Sequence, residues 1–179
     1  MKRVVLTFLA ALCVLTACSG VRQGATRGAA ALGDPLSTVD DVVGWMRDTA
    51  GACDDVTPQG LDALRGFIGP DNAARFEPYV AEWVTCSVSN EFPRVGLVLF
   101  SGDGERDFQE SWHAAMIAGK IADGPSFAFG NGFAVSAGAL GVDRLGLYWF
   151  LCDFTDTKVH RIPADEDGCV FANSGHTHG

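Results

Sequence analysis

The first apolar stretch, Val4 to Leu15, follows Lys2 and Arg3 and is twelve residues long, too short for a hydrocarbon core that takes about 20 residues to cross. A short positive region ahead of such a segment is the layout of a secretory signal peptide. The next stretch, SGVRQGATRGAAALGD over 19–34, is rich in Gly and Ala and has no apolar periodicity, which predicts a flexible tether. Beyond it Val39, Val43 and Met46 fall on one helical face, with Asp40, Asp41 and Asp48 away from it. Ser37 and Asp40 have the spacing of a capping box, and Gly51 is the expected end of this helix. Residues 58–81 carry two short helical candidates, broken by Gly66, Gly69-Pro70 and Pro78.

The pattern then changes period. Val84, Cys86 and Val88 alternate with Thr85 and Ser87, so one strand face, with Cys86 on it, looks inward. RVGLVLF, residues 94–100, is almost continuously apolar, the mark of an inner strand, and Asn90 between the two runs is consistent with a hairpin. Asp103 is placed to cap a following helix, with Glu105 and Asp107 near its positive end. Phe108, Trp112 and Met116 recur every four residues, a stripe suited to covering a sheet. FAFGNGFAV, residues 127–135, holds Asn131-Gly132, the pair that tight hairpins favour. Residues 139–152 have two readings, a last helix weakened by glycines or a strand from Leu145. This order of elements predicts an α+β fold, a two-layer sandwich of antiparallel sheet with helices mainly on one face. The chain divides into a signal peptide (1–17), a tether (18–34), a single domain (35–152) and an irregular acidic tail (153–179).

Charge narrows the partners. With 13 basic against 22 acidic residues the formal charge is −9, and no basic footprint for nucleic acid exists. An acidic body is also repelled by an anionic membrane, so attachment must come from elsewhere. Leu15-Thr16-Ala17-Cys18, followed by Ser19-Gly20, resembles the lipobox of bacterial lipoproteins. That resemblance implies diacylglycerol transfer to the Cys18 sulfur, cleavage after Ala17 and acylation of the new amino group, while Cys13 leaves with the signal. Several acyl chains on one residue hold firmly where a single chain is marginal. The expected location is the extracytoplasmic face of a cell membrane, with membrane lipid as a partner through the Cys18 acyl chains. Arg22 and Arg27 are close enough to the anchor to sit against anionic headgroups.

Cys53, Cys86, Cys152 and Cys169 remain for the folded part. An even number outside the cytoplasm points to two disulfides, with three pairings open. Nearest-neighbour pairing is preferred because each pair falls within its own structural unit. A CxxC motif is missing, which leaves zinc binding and dithiol redox chemistry without support. CDDV after the first helix, VTCSV in a strand, the apolar strand ending at Phe100, the acidic and aromatic helix and FAFGNGFAV together resemble a group of small actinobacterial lipoproteins. Their pattern carries a G-x-N-W-like turn, matched in part by Gly130, Asn131 and Phe133, with Gly132 inserted. The similarity covers residues 36–147. It implies a sheet with helices on one side and a Cys53–Cys86 disulfide, and it brings no assigned activity.

Candidate chemistry is sparse. His113 lies at the edge of the apolar stripe, with Glu110 and Ser111 too near in sequence to face it as a triad requires. Neither G-x-S-x-G nor H-E-x-x-H occurs. His176 and His178 flank Thr177 without a third ligand on a rigid element. Asp153 and Asp156, with Asp165, Glu166 and Asp167, offer oxygens for calcium but not the spacing of a helix–loop–helix site. Asp54 and Asp55 are simplest as caps of the turn after the first helix, and GDGE at 102–105 lacks the Lys of a phosphate loop. No catalytic residue, metal or cofactor is therefore assigned. Aromatics beyond the core stripe, namely Phe129, Phe133, Tyr148 and Trp149, are candidates for a contact surface. The leading expectation is a non-enzymatic lipoprotein that binds an envelope protein or component. A membrane-tethered hydrolase using Asp54 or Glu110, and a purely structural envelope lipoprotein, are the alternatives.

Overall fold

The computed structural model describes residues 26–173. The signal segment, Cys13, Cys18, Arg22, His176 and His178 lie outside the described residues. In chain order the elements are α1 (Val39–Ala50), β1 (Asp54–Pro58), α2 (Leu61–Ile68), α3 (Pro70–Phe76), β2 (Val80–Ser87), β3 (Val95–Phe100) and α4 (Gly104–Ile117), then β4 (Ala128–Gly130), β5 (Phe133–Val135), α5 (Gly138–Asp143), β6 (Tyr148–Cys152), β7 (Arg161–Pro163) and β8 (Cys169–Ala172). All eight strands join one antiparallel sheet, ordered β1-β2-β3-β5-β4-β6-β8-β7, and the helices pack against it as an α+β sandwich.

The apolar run of β3 follows from its place near the middle of that sheet, where both faces are covered. Val95, Leu97 and Leu99 meet Val42, Val43 and Met46 of α1 and Leu140 of α5 on one side. Val98 and Phe100 meet Leu64 of α2, Phe76 of α3 and Phe108 and Trp112 of α4 on the other. The expected stripe of α4 is thus in place, and α2 to α4 give the second face its aromatic filling. Phe76 and Phe108 lie 4.5 Å apart by ring centroids, and Phe129 and Phe171 lie 6.0 Å apart. Disulfides join Cys53 to Cys86 and Cys152 to Cys169, the nearest-neighbour pairing.

Several expectations are displaced. The cap of α1 is Thr38, one residue past Ser37: its hydroxyl accepts the Asp41 N–H at 3.1 Å and donates to Asp41 Oδ2 at 2.6 Å. Asp54 and Asp55 open an edge strand rather than capping a turn, with a register irregularity between Asp54 and Thr57 and a left-handed Asp55. Both readings of 139–152 hold in succession, since α5 ends at Asp143 and β6 begins at Tyr148. The tail is not irregular as far as Ala172: β8 pairs with β6, Cys152 opposite Cys169, and β7 closes the sheet. These strands are too short to leave a period in the sequence, and they form because β6 offers an edge to pair with. The end of the tether is also held. Gly28 N–H donates to Pro163 O at 2.8 Å, and Arg27 reaches Asp167 rather than standing free for headgroups.

Candidate functional site

A cleft of about 590 Å³ opens where α2, α3 and α4 meet the loop that leads into β4. Phe67 and Ile68 come from the end of α2, Asn72 and Phe76 from α3, Trp112 from α4, and Ile121 to Phe127 from the loop, while Arg94, Ser136 and Ala137 close it from the sheet side. Sequence places these side chains here for separate reasons. The Gly69-Pro70 break turns α2 sharply into α3, with Gly69 at φ 84°, so Phe67 and Phe76 are delivered to one wall. Trp112 is part of the buried stripe of α4, and its indole N–H donates to Asp123 O at 3.0 Å, which ties the loop to the helix. Phe76, Trp112 and Phe127 are buried, and their rings lie 6.1 Å (Phe76 to Trp112) and 4.6 Å (Phe76 to Phe127) apart. Past Asn72 and Ile121 the cleft continues as a shelf lined by Asp71, Ala74, Arg75 and Lys120.

Two arginines mark this region. Arg94 stacks over Phe67 at 4.9 Å, and Arg75 lies over Trp112 at 6.0 Å with its Nε shut from solvent and without a hydrogen-bond partner. The other described arginines are engaged: Arg27, Arg65, Arg106 and Arg144 pair with carboxylates, and Arg47 and Arg161 donate to main-chain carbonyls. In a chain this acidic, of the two guanidiniums without a hydrogen bond or ion pair among the described residues, Arg94 lines the cleft and Arg75 lines the shelf beside it.

A second polar feature runs along α4. Glu105, Gln109 and His113 recur every four residues on the side that faces the β4–β5 turn and the β7–β8 loop. Gln109 Oε1 accepts the Asp165 N–H at 2.9 Å, its Nε2 donates to Asp165 Oδ2 at 3.3 Å, and His113 Nδ1 lies 2.8 Å from Glu166 Oε1. Glu105 Oε2 accepts the Gly132 N–H at 2.7 Å, whereas Oε1 has no partner. Burial pushes the Glu105 carboxyl up to about 8; the Gly132 bond opposes this and the negative Asp165 adds to it. His113 also lies with Cys152 and Cys169, their ligand atoms within 4.8 Å, but both sulfurs are taken by the disulfide and are not thiolate ligands.

The residues singled out from sequence fare unevenly. Phe129 and Phe133 are 0% and 3% exposed, so they belong to the core and not to a contact surface, while Tyr148 and Trp149 are half-buried on β6. The reason is that β4 and β5 are interior strands covered on both faces. Asp54 and Asp55 are exposed on the edge strand and Glu110 is exposed on α4, so these carboxylates do not converge. The acids near the tail are used one by one: Asp165 by Gln109 and Ala29, Glu166 by His113, Asp167 by Arg27 and Asp156 by the Lys158 N–H. Sequence reasoning missed the cleft because its wall is assembled from six segments, α2, α3, α4, the loop before β4 and the stretches holding Arg94 and Ser136–Ala137. The pair of unpaired arginines beside aromatics had no signal short of the fold.

The chain matches no protein-family model, no curated protein and no solved structure. Fold and site together define a disulfide-linked α+β domain with an open aromatic cleft of small-molecule dimensions. Among the described residues no helix is long and apolar enough to cross a membrane.

Proposed function

We propose that this protein is a lipid-anchored lipoprotein of the extracytoplasmic envelope, similar to the small actinobacterial lipoproteins, whose domain works as a non-enzymatic binding module for an envelope protein or component. The cleft is the observation that carries the binding role. It is concave and combines the rings of Phe67, Phe76, Trp112 and Phe127 with polar groups at Asn72, Arg94, Asp123, Ser126 and Ser136, a mixture suited to a ligand with an apolar and a polar part. Two disulfides in a domain of this size suit an oxidising compartment. The anchor rests on the sequence around Cys18.

Mass spectrometry of the N-terminal peptide, with membrane fractionation of wild type and Cys18→Ala, tests the anchor. The expected result is a diacylated or triacylated Cys18 at the N-terminus and release of the variant from membranes. In-cell crosslinking and capture under non-reducing conditions tests the binding role, with a component enriched by the lipidated form as the expected outcome. An unmodified Cys18 in a chain that stays in the cytoplasm would overturn the reading.

A further inference from the structure

We propose that the occupant of the aromatic cleft is a single amphiphile with an anionic head, a carboxylate or phosphate, bound through Arg94 with help from Arg75. This deepens the proposed binding role and rests on it.

Each of the two guanidiniums is held against an aromatic ring. A guanidinium stacked on a ring uses its flat face, and its N–H donors lie in the plane and remain available at the edge. Arg94 lies over Phe67 at 4.9 Å and Arg75 over Trp112 at 6.0 Å, and among the described residues neither guanidinium has a hydrogen-bond or ion-pair partner. Arg75 Nε is moreover buried and unsatisfied, a condition native structures seldom leave without a reason. Planar donor forks fit carboxylate and phosphate oxygens in a two-pronged manner. The cleft also holds what an anion alone would not need: the rings of Phe67, Phe76, Trp112 and Phe127 in its lining, which reward an alkyl or aromatic body. Charge around the opening is mixed, since Asp123 lines the cleft and Asp71 lines the shelf beside Lys120. Among the ion pairs of the described residues none joins either aspartate to Arg94 or Arg75. Arg94 is exposed and its donors are thus open to an incoming anion, while the surrounding acidity of the chain opposes docking on an extended anionic surface. An amphiphile taken in singly meets both conditions.

The test uses the purified full chain with four probes kept below micelle-forming concentrations: dodecanoate, dodecyl phosphate, dodecanol and inorganic phosphate. The Trp112 indole N–H, bonded to Asp123 at the cleft wall, serves as the NMR reporter. Dodecanoate and dodecyl phosphate are expected to shift that signal and to bind at least about tenfold more tightly than dodecanol, with inorganic phosphate weaker than either. Arg94→Gln should remove that advantage while leaving dodecanol affinity as it was. Ser126→Trp, an exposed position at the opening, should block all three chain-bearing probes in a protein that stays folded. Equal affinity for dodecanol and dodecanoate, or an Arg94→Gln variant that binds as wild type, overturns the proposal. So does a chain that ignores the monomers yet sediments with phosphatidylglycerol vesicles, which would make the anion site a surface. A lipidated protein that captures a protein partner, lost in Ser126→Trp, with no amphiphile bound would overturn this ligand class and keep the binding module. Amphiphile binding by a chain whose Cys18 is unmodified would do the reverse.

Discussion

Among the described residues Glu105 carries the clearest pH dependence. Its buried carboxyl stays protonated in the folded state up to about 8, whereas in the unfolded chain it ionises near its ordinary 4.5. Between those values the folded state holds more protons than the unfolded one, so this group makes stability fall as pH rises through the window, with a slope of up to about 1.4 kcal/mol per pH unit. Above the folded value the slope from this site vanishes. The groups facing it are the Gly132 N–H and the Asp165 carboxylate. Urea melts of wild type and Glu105→Gln at pH 5, 6.5 and 8 should diverge, with the variant less sensitive to pH and the more stable of the two at pH 8. Parallel pH profiles would contradict the burial argument. The sequence pointed elsewhere: an acid in the first turn of a helix reads as a partner of the helix dipole. What buries it is a turn 27 residues further on. That turn is itself constrained, because Gly132 has φ 87° and an added Cβ would meet Leu36 O at 2.8 Å. Gly132→Ala should therefore lower stability by about 1–3 kcal/mol, measured in the same melts.

At the scale of elements, hydrophobic period was a reliable guide where a strand or helix is long and covered. The α4 stripe and the β2–β3 pair follow from it directly, while the three-residue strands β4 and β5 are legible only through the Asn131-Gly132 turn between them. It was silent for β1, β7 and β8, whose five, three and four residues are too few to show alternation and whose pairing depends on the edge of a neighbour. The glycines of α5 show a further limit. Read locally they weaken a helix, but in the fold Gly138 lies under the Trp149 ring and Gly141 against Ala128, so that α5 can rest directly on the sheet. The cysteines were the long-range signal the sequence did contain. Cys53–Cys86 closes 33 residues and Cys152–Cys169 closes 17, and chain-entropy reasoning gives the first about 3–4 kcal/mol and the second about 3 kcal/mol. A Cys53→Ser, Cys86→Ser double variant should lose the larger amount in denaturant melts. It should also loosen β1 first, since that edge strand is held by one neighbour and this bond. Hydrogen exchange that leaves β1 as protected as β3 in the variant would contradict this.

For the whole molecule the tether sets how far the domain would stand from the proposed Cys18 anchor. Sequence made the tether run to residue 34, but the chain is already held at Arg27. Its Nε and Nη2 donate to Ala164 O at 3.0 and 2.8 Å, and Nη2 also reaches Asp165 O at 3.1 Å and Asp167 Oδ1 at 2.8 Å. With Cys18 lipidated, only the residues up to Arg27 would span the gap, a reach of no more than about 30 Å, so the domain would be held close to the bilayer rather than at the end of a long leash. The side chain of Asp167 is 94% exposed, and an ion pair so open to water contributes little. The main-chain carbonyls of the β7–β8 loop must then do the holding. Hydrogen exchange separates the two contributions: Arg27→Ala should speed exchange at Gly28 and Ala29 by about tenfold or more, and Asp167→Asn should leave both near wild type. If Asp167→Asn released the segment as fully as Arg27→Ala, the surface charge would be the clasp, and the tether would lengthen with salt. If neither variant changed exchange, the segment would be fixed by Gly28 and Ala29 themselves, through Pro163 O and Asp165 Oδ2, and the short stand-off would survive without the arginine.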